Sequence, residues 1–159
     1  MKHITHYMLK LKTYTCALAI ISLASCGNNS NEKSATEDKN TTEETKDNGE
    51  GIGHFHNVTV GALDDAMATK GEAIFKTKCA ACHKTSDEKI VGPGLKGVTE
   101  RRKPSWILNM ITNPQEMTQK DPTAKKLLEE HLTQMTFQDV NDDDARSIVE
   151  FLRKNDGAK

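Results

Sequence analysis

Large apolar and aromatic side chains are scarce in this sequence. Aromatic residues make up 4% of its 159 residues, and hydrophobic residues make up 35%. A chain this poor in apolar bulk either leaves part of its length unfolded or obtains apolar surface from a cofactor. The sequence also lacks an uninterrupted apolar run of the roughly 18 residues that a transmembrane helix needs, so we do not expect a permanent membrane span.

An excess of charge of either sign is also missing. The chain has 22 Lys and Arg residues against 23 Asp and Glu residues, and its formal net charge is −1. Proteins that bind nucleic acid usually carry a clear basic surplus, so this class is not favoured. A structural disulfide framework is not expected either, because two of the four cysteines, Cys16 and Cys26, fall in the N-terminal segment. The length suits one ordinary domain with additional segments.

The first 26 residues are organised like a secretory signal. They contain three lysines and no acidic residue, and a short apolar stretch at residues 16–24 follows the lysines. This pattern predicts a signal peptide over residues 1–25 that is removed on export. Leu23-Ala24-Ser25-Cys26 resembles the lipobox of bacterial lipoproteins, so we expect Cys26 to be acylated and to anchor the chain to a membrane on its periplasmic side. An ordinary signal peptide that happens to contain Cys26 is the alternative.

Residues 26–61 are predicted to lie outside the folded domain, which we expect over residues 62–159. The polar part that reaches about Gly53 has almost no large apolar residue, and this composition predicts a disordered tether. Residues 54–60 have higher β propensity and predict a short extended strap on the domain. A metal site at His54 and His56 is less favoured, because no further ligands stand in register.

Two cysteines stand in a motif with defined chemistry. The chain reads Cys79-Ala80-Ala81-Cys82-His83, which is the C-x-x-C-H pattern of c-type haem attachment. One helical turn separates the sulfurs, so each thiol can add to one vinyl group of the same porphyrin while the adjacent imidazole of His83 binds the iron. A thioredoxin-like pair would need a βαβ context, and a zinc site would need a second pair of ligands. We therefore predict one covalently bound haem c.

The domain contains several predicted helices. Gly71, Phe75 and Cys79 recur every fourth residue, so they share one face of a helix. Asp121 and Asn141 are predicted N-caps of further helices. Because Gly71 has no side chain, we expect the C-terminal helix to approach the first helix closely at this position.

With these motifs in this order, the chain resembles the class I c-type cytochromes. The resemblance covers residues 64–155 and includes the Gly92-Pro93 loop, a helix that begins at Trp106 and a later methionine loop. It implies an all-α fold, in which four to five short helices wrap around one haem and a disordered tether precedes them. It also implies that the Pro93 carbonyl accepts the ring proton of His83, and that the Trp106 helix packs against the haem.

The resemblance places the sixth ligand of the iron at Met135, in the loop before the C-terminal helix. Met110 lies within the tryptophan helix, where a methionine more often fills the core. Met117, which we expect in a loop, and His131 remain alternative ligands, as does an open distal site. In the commonest family pattern a proline follows the ligand methionine, whereas Thr136 follows Met135 in this chain.

The resemblance implies a carrier of single electrons, not an enzyme. It suggests transfer from a quinol-oxidising complex to a terminal oxidase or an anaerobic reductase, with redox proteins as partners and no small-molecule substrate. Arg101-Arg102-Lys103, with Lys84, Lys89 and Lys96, would ring the haem edge and steer an acidic partner, unless these residues only form a solvated face. The alternatives are a haem ligand-binding or peroxidase-like protein with an open distal site, and a fixed subunit of a larger respiratory complex.

Overall fold

The computed structural model describes residues 48–159. The predicted signal peptide, the predicted acylation site Cys26 and most of the predicted tether lie outside the described residues. Within residues 48–159, no helix is long and apolar enough to cross a membrane.

The described part of the chain consists of six helices joined by loops, and it contains no strand. The helices are α1 (Asp65–Lys78), α2 (Val98–Arg101), α3 (Pro104–Thr112), α4 (Pro114–Lys120), α5 (Pro122–His131) and α6 (Asp142–Asn155). This architecture confirms the predicted all-α class.

Local sequence signals set several helix ends. The side chains of three N-cap residues accept hydrogen bonds of 2.8–2.9 Å from first-turn backbone N–H groups, and these residues are Asp64, Asp121 and Asn141. The predicted caps at Asp121 and Asn141 are therefore confirmed. Helices α3, α4 and α5 each begin with a proline, whose missing N–H is not needed at the first helical position.

Helices α1 and α6 form the frame of the domain. A Cβ atom added to Gly71 would lie 1.9 Å from the backbone oxygen of Ser147, so the two helices touch backbone to backbone at this position. The rings of Phe75 and Phe151 lie 5.3 Å apart, centroid to centroid, beside this contact. The close approach that the glycine predicts is thus present.

Met117 lies on helix α4 and not in a loop, so that expectation is wrong. Asn113 ends α3, and Pro114 then starts a new helix immediately, because proline is favoured at the first helical position. Met117 is fully buried, and its sulfur accepts a hydrogen bond of 2.9 Å from the backbone N–H of Ile52.

The segment of residues 48–60, which we call the strap, packs against α3. The side chain of Asn109 holds it: Oδ1 accepts the N–H of Phe55 at 3.0 Å, and Nδ2 donates to the carbonyls of Glu50 and Phe55 at 2.9 Å each. Glu50 and Phe55 are both buried. The predicted tether reached about Gly53, whereas the structure packs residues 50–53 on the domain, because a buried amide pairs with their backbone.

The two strap histidines each face a carboxylate. His54 Nε2 lies 2.9 Å from Asp142 Oδ2, and His56 Nδ1 lies 3.7 Å from Glu50 Oε2. Among residues 48–159, no cluster of three or more His, Cys, Asp or Glu side chains could hold a metal ion.

A candidate haem-binding cavity

One cavity brings together side chains from distant parts of the domain. Its volume is about 280 Å³ and its lining is mostly apolar. The lining includes the end of α1, the Cys79–His83 motif, the loop after it, helices α3, α5 and α6, and the loop before α6. Its residues include Phe75, Cys79, Cys82, His83, Pro93, Trp106, Met110, Leu127, His131, Met135, Ile148 and Leu152.

The two thiols stand at the point where α1 ends. Cys79 is the C-cap of α1, and its carbonyl accepts hydrogen bonds from the backbone N–H groups of Cys82 at 3.0 Å and His83 at 2.9 Å. One further turn therefore carries both sulfurs and the imidazole to the same cavity. Both cysteines are free. Burial raises the pKa of the Cys79 thiol, and the neighbouring Lys78 ammonium opposes this effect.

The imidazole of His83 is oriented by the loop that follows it. His83 Nδ1 lies 2.9 Å from the carbonyl oxygen of Pro93. Because a carbonyl only accepts, Nδ1 carries the proton and Nε2 of a neutral ring keeps its lone pair. The loop returns to the motif through a hydrogen bond of 2.9 Å from Gly92 N–H to the Cys82 carbonyl. A Cβ on Gly92 would lie only 2.5 Å from His83 Cε1, so the backbone itself confines the ring.

Trp106 forms a fixed wall of the cavity. The side chain is 5% exposed, and its indole N–H donates to Asp121 Oδ1 at 3.1 Å. The same oxygen caps α5 by accepting the N–H of Ala124 at 2.8 Å. The guanidinium of Arg102 lies 5.2 Å from the centroid of the Trp106 ring. The sequence predicts the N-cap at Asp121, but the residue spacing does not predict the hydrogen bond between Asp121 and Trp106.

Met135 lies in a loop and lines the same cavity as His83. Side chains hold this loop: Lys78 Nζ donates to the carbonyls of Gln138 at 2.9 Å and Asp139 at 3.1 Å, and Thr118 donates to Gln134 Oε1 at 3.0 Å. None of these contacts has a signal in the sequence, because they join residues far apart in the chain. Of the alternative methionines, Met110 lines the cavity and Met117 does not.

His131, the last residue of α5, also lines the cavity. Its Nδ1 is buried without a hydrogen-bond partner. Burial lowers the pKa of His131, and the positive charge of Lys89 acts in the same direction against the opposing effect of Glu130.

Part of the predicted basic ring reaches the cavity. Arg101 and Arg102 line it, whereas Lys103 does not; the Lys103 ammonium donates to the carbonyl of Asn48 in the strap at 2.7 Å. Lys84, Lys89 and Lys96 are exposed on the neighbouring loop. Lys103 of the basic run is therefore bound to the strap and not to the cavity.

The residues present fit a covalently bound porphyrin. The cavity offers an apolar lining, two thiols one turn apart, an imidazole with an oriented lone pair and a thioether on another wall. Apolar walls suit the ring, and the polar groups are those that add to vinyl groups or bind iron.

Comparison with known proteins agrees with this geometry. The profile of the family described as Cytochrome c matches residues 68–156. The chain is 36% identical over 62 residues to a cytochrome c-553-like protein of Synechocystis sp. (38% of this chain, 59% of that protein). It is 54% identical over 41 residues to cytochrome c-551 of Stutzerimonas stutzeri (25% of this chain, 38% of that protein). The matched segments thus span less than two thirds of these curated relatives. The solved structure of cytochrome c from Rhodothermus marinus is similar, with a TM-score of 0.63 and 41% identity over 65% of this chain and 90% of that chain.

Proposed function

Because the chain belongs to the cytochrome c family, whose cofactor is one covalently bound haem c, we propose that it carries single electrons with His83 and Met135 as the two protein ligands of the haem iron. The observation that carries this proposal is the position of the two side chains. Both line one cavity together with the two motif thiols, although Met135 and His83 are far apart in the chain.

The bound haem would supply reversible cycling between ferric and ferrous iron. Cys79 and Cys82 would attach it by adding their S–H bonds across two vinyl groups, a reaction that forms two thioethers without an oxidant. The hydrogen bond from His83 Nδ1 to the Pro93 carbonyl sets the ring tautomer and leaves the lone pair of Nε2 free to bind iron. A thioether from Met135 raises the reduction potential relative to a second imidazole.

The surroundings of the cavity suit electron transfer to another protein. Val91 lines the cavity and is 44% exposed, and its neighbour Ile90 is 36% exposed. Lys89 and the cavity residue Arg101 are exposed nearby in the chain. An apolar contact area with basic neighbours favours a brief encounter with an acidic redox partner. We propose a quinol-oxidising complex as donor and a terminal oxidase or anaerobic reductase as acceptor, with no small-molecule substrate.

The proposed location is the periplasmic face of a membrane. It rests on the sequence of residues 1–26 and on Cys26 as the acylated residue. Residues up to 47 would form the tether, since the strap begins at residue 48. A tether of this kind lets the domain swing between membrane-bound partners.

The first experiment tests the ligand pair. We would coexpress the full-length chain with a c-type maturation system and compare ferric spectra of the parent with Met135→Ala. The parent should show the weak near-infrared charge-transfer band of a sulfur–iron bond, and the variant should lack it. A parent without this band and with high-spin iron would instead favour a ligand-binding or peroxidase-like protein. Failure to attach haem would contradict the assignment of Cys79, Cys82 and His83.

A further inference from the structure

His131 places a second imidazole in the cavity that Met135 also lines. It is the last residue of α5, and its side chain lines the cavity that His83 and Met135 also line. Four imidazole and thioether side chains that could donate a lone pair to an iron line this cavity: His83 in the motif, and Met110, His131 and Met135 on other segments.

The hydrogen bonds of His131 differ from those of the other histidines in residues 48–159. His54 and His56 face carboxylates, and His83 bonds to the Pro93 carbonyl. His131 alone in this range has a buried ring nitrogen with no partner. A buried polar group without a partner is unfavourable and calls for an explanation. No structural hydrogen bond to this nitrogen accounts for the position of the ring.

The backbones that carry the two distal candidates are held differently. His131 lies in the last turn of α5, and helical hydrogen bonding continues past it, because the Leu132 N–H donates to the Leu128 carbonyl at 2.8 Å. Within the described part of the chain, by contrast, residues 133–140 donate no backbone N–H to a backbone carbonyl. Side chains such as Lys78 hold the Met135 loop instead. The loop can therefore move away while the helix stays in place.

From this arrangement we propose that His131 is a reserve distal ligand, which binds the haem iron when the Met135 thioether leaves. The proposal rests on the proposed function. In the exchange the sulfur–iron bond breaks and an imidazole nitrogen–iron bond forms, with no net transfer of electrons. The iron then stays six-coordinate and low spin, the potential falls, and the distal site stays closed to small ligands.

The test uses the haem-loaded full-length chain and two readouts, the spin state of the ferric iron and its affinity for cyanide. Met135→Ala should lose the sulfur–iron band yet remain low spin. The double variant Met135→Ala/His131→Leu should be high spin and bind cyanide about tenfold more tightly, because no protein ligand competes. The matched control Met135→Ala/His56→Leu should behave like Met135→Ala, since His56 lies in the strap.

High-spin iron in Met135→Ala itself would overturn the proposal, and so would low-spin iron in the double variant. If Met135→Ala does not retain haem, peroxide oxidation of the methionine thioether in the parent and in His131→Leu provides the same comparison. The parent should then stay low spin and His131→Leu should turn high spin; equal behaviour contradicts the proposal. The sulfur–iron band of the untreated parent tests the proposed function separately.

Discussion

At the scale of single residues, the backbone of the loop near His83 orients and confines the imidazole ring. The Pro93 carbonyl fixes its tautomer, and Gly92 leaves no room for the ring to move toward the loop. This arrangement explains why a Gly-Pro pair follows the attachment motif. Because Gly92 has no side chain, the loop can lie against the imidazole of His83, and the Pro93 carbonyl then accepts its ring proton.

Replacing Gly92 by alanine should therefore disturb the proximal ligand. The added Cβ would lie 2.5 Å from His83 Cε1, so the ring must shift and weaken its bond to Pro93. We expect a loss of about 1–3 kcal/mol in the free energy of unfolding, measured by denaturant titration, together with altered ferric EPR signals. Gly61→Ala is the control, because its Cβ would meet no atom within 4 Å. Equal stability and spectra in the two variants would contradict this account.

At the scale of elements, contacts between helix ends join segments that are distant in the sequence. Asp156 directly follows α6, and its carboxylate accepts hydrogen bonds from the start of α2. Gly97 N–H donates to Oδ1 at 2.7 Å, and Thr99 N–H donates to Oδ2 at 2.9 Å. The Thr99 hydroxyl adds a third bond of 2.7 Å. Burial by itself would raise the pKa of Asp156, but the bonds from Thr99 and Gly97 outweigh it and hold the pKa below its ordinary value.

This lowered pKa predicts a pH-dependent contribution to stability. A carboxyl whose pKa is lower in the folded state stabilises the fold above its unfolded pKa, and the contribution is lost as the pH falls through the folded pKa. Asp156→Asn should therefore cost about 1 kcal/mol at neutral pH. The difference from the parent should shrink in strong acid, as measured by urea unfolding. Asp87→Asn, at an exposed loop position, is the control; a difference that grows in acid would contradict the assignment.

At the scale of the whole molecule, the strap extends the domain beyond its helices. It covers Met117 and forms hydrogen bonds with Asn109 of α3, and neither of these two residues lines the haem cavity. The side chain of Asn109 forms hydrogen bonds with three backbone groups of the strap. Residues 50–55 are therefore fixed on the folded domain.

Asn109→Ala should release the strap without changing the haem site. Three buried backbone groups would lose their partner, which we expect to cost about 2–4 kcal/mol of stability. Limited proteolysis should then cut within residues 48–60 faster than in the parent, while the ferric spectrum stays the same. Gln115→Ala, at an exposed position of α4, should leave the cleavage rate unchanged. A changed spectrum with an intact strap would contradict this division of roles.

Several features followed from the sequence alone because their signals are local. The cap at Asn141, the glycine at position 71 and the Cys79–His83 motif each act within a few residues, so a short window predicts the helix start, the close packing and the cofactor class. The all-α fold followed from these signals and from the order of motifs that resembles a known family.

Only the tertiary structure decided which side chains meet. Met117 is on a helix under the strap, Lys78 holds the Met135 loop, and His131 lies at the same cavity as Met135. Each of these results depends on how distant segments pack and on which backbone groups lack a local partner. Hydrogen-bond and packing partners from distant segments are set by their proximity in the folded chain, and neither composition nor periodicity predicts this proximity.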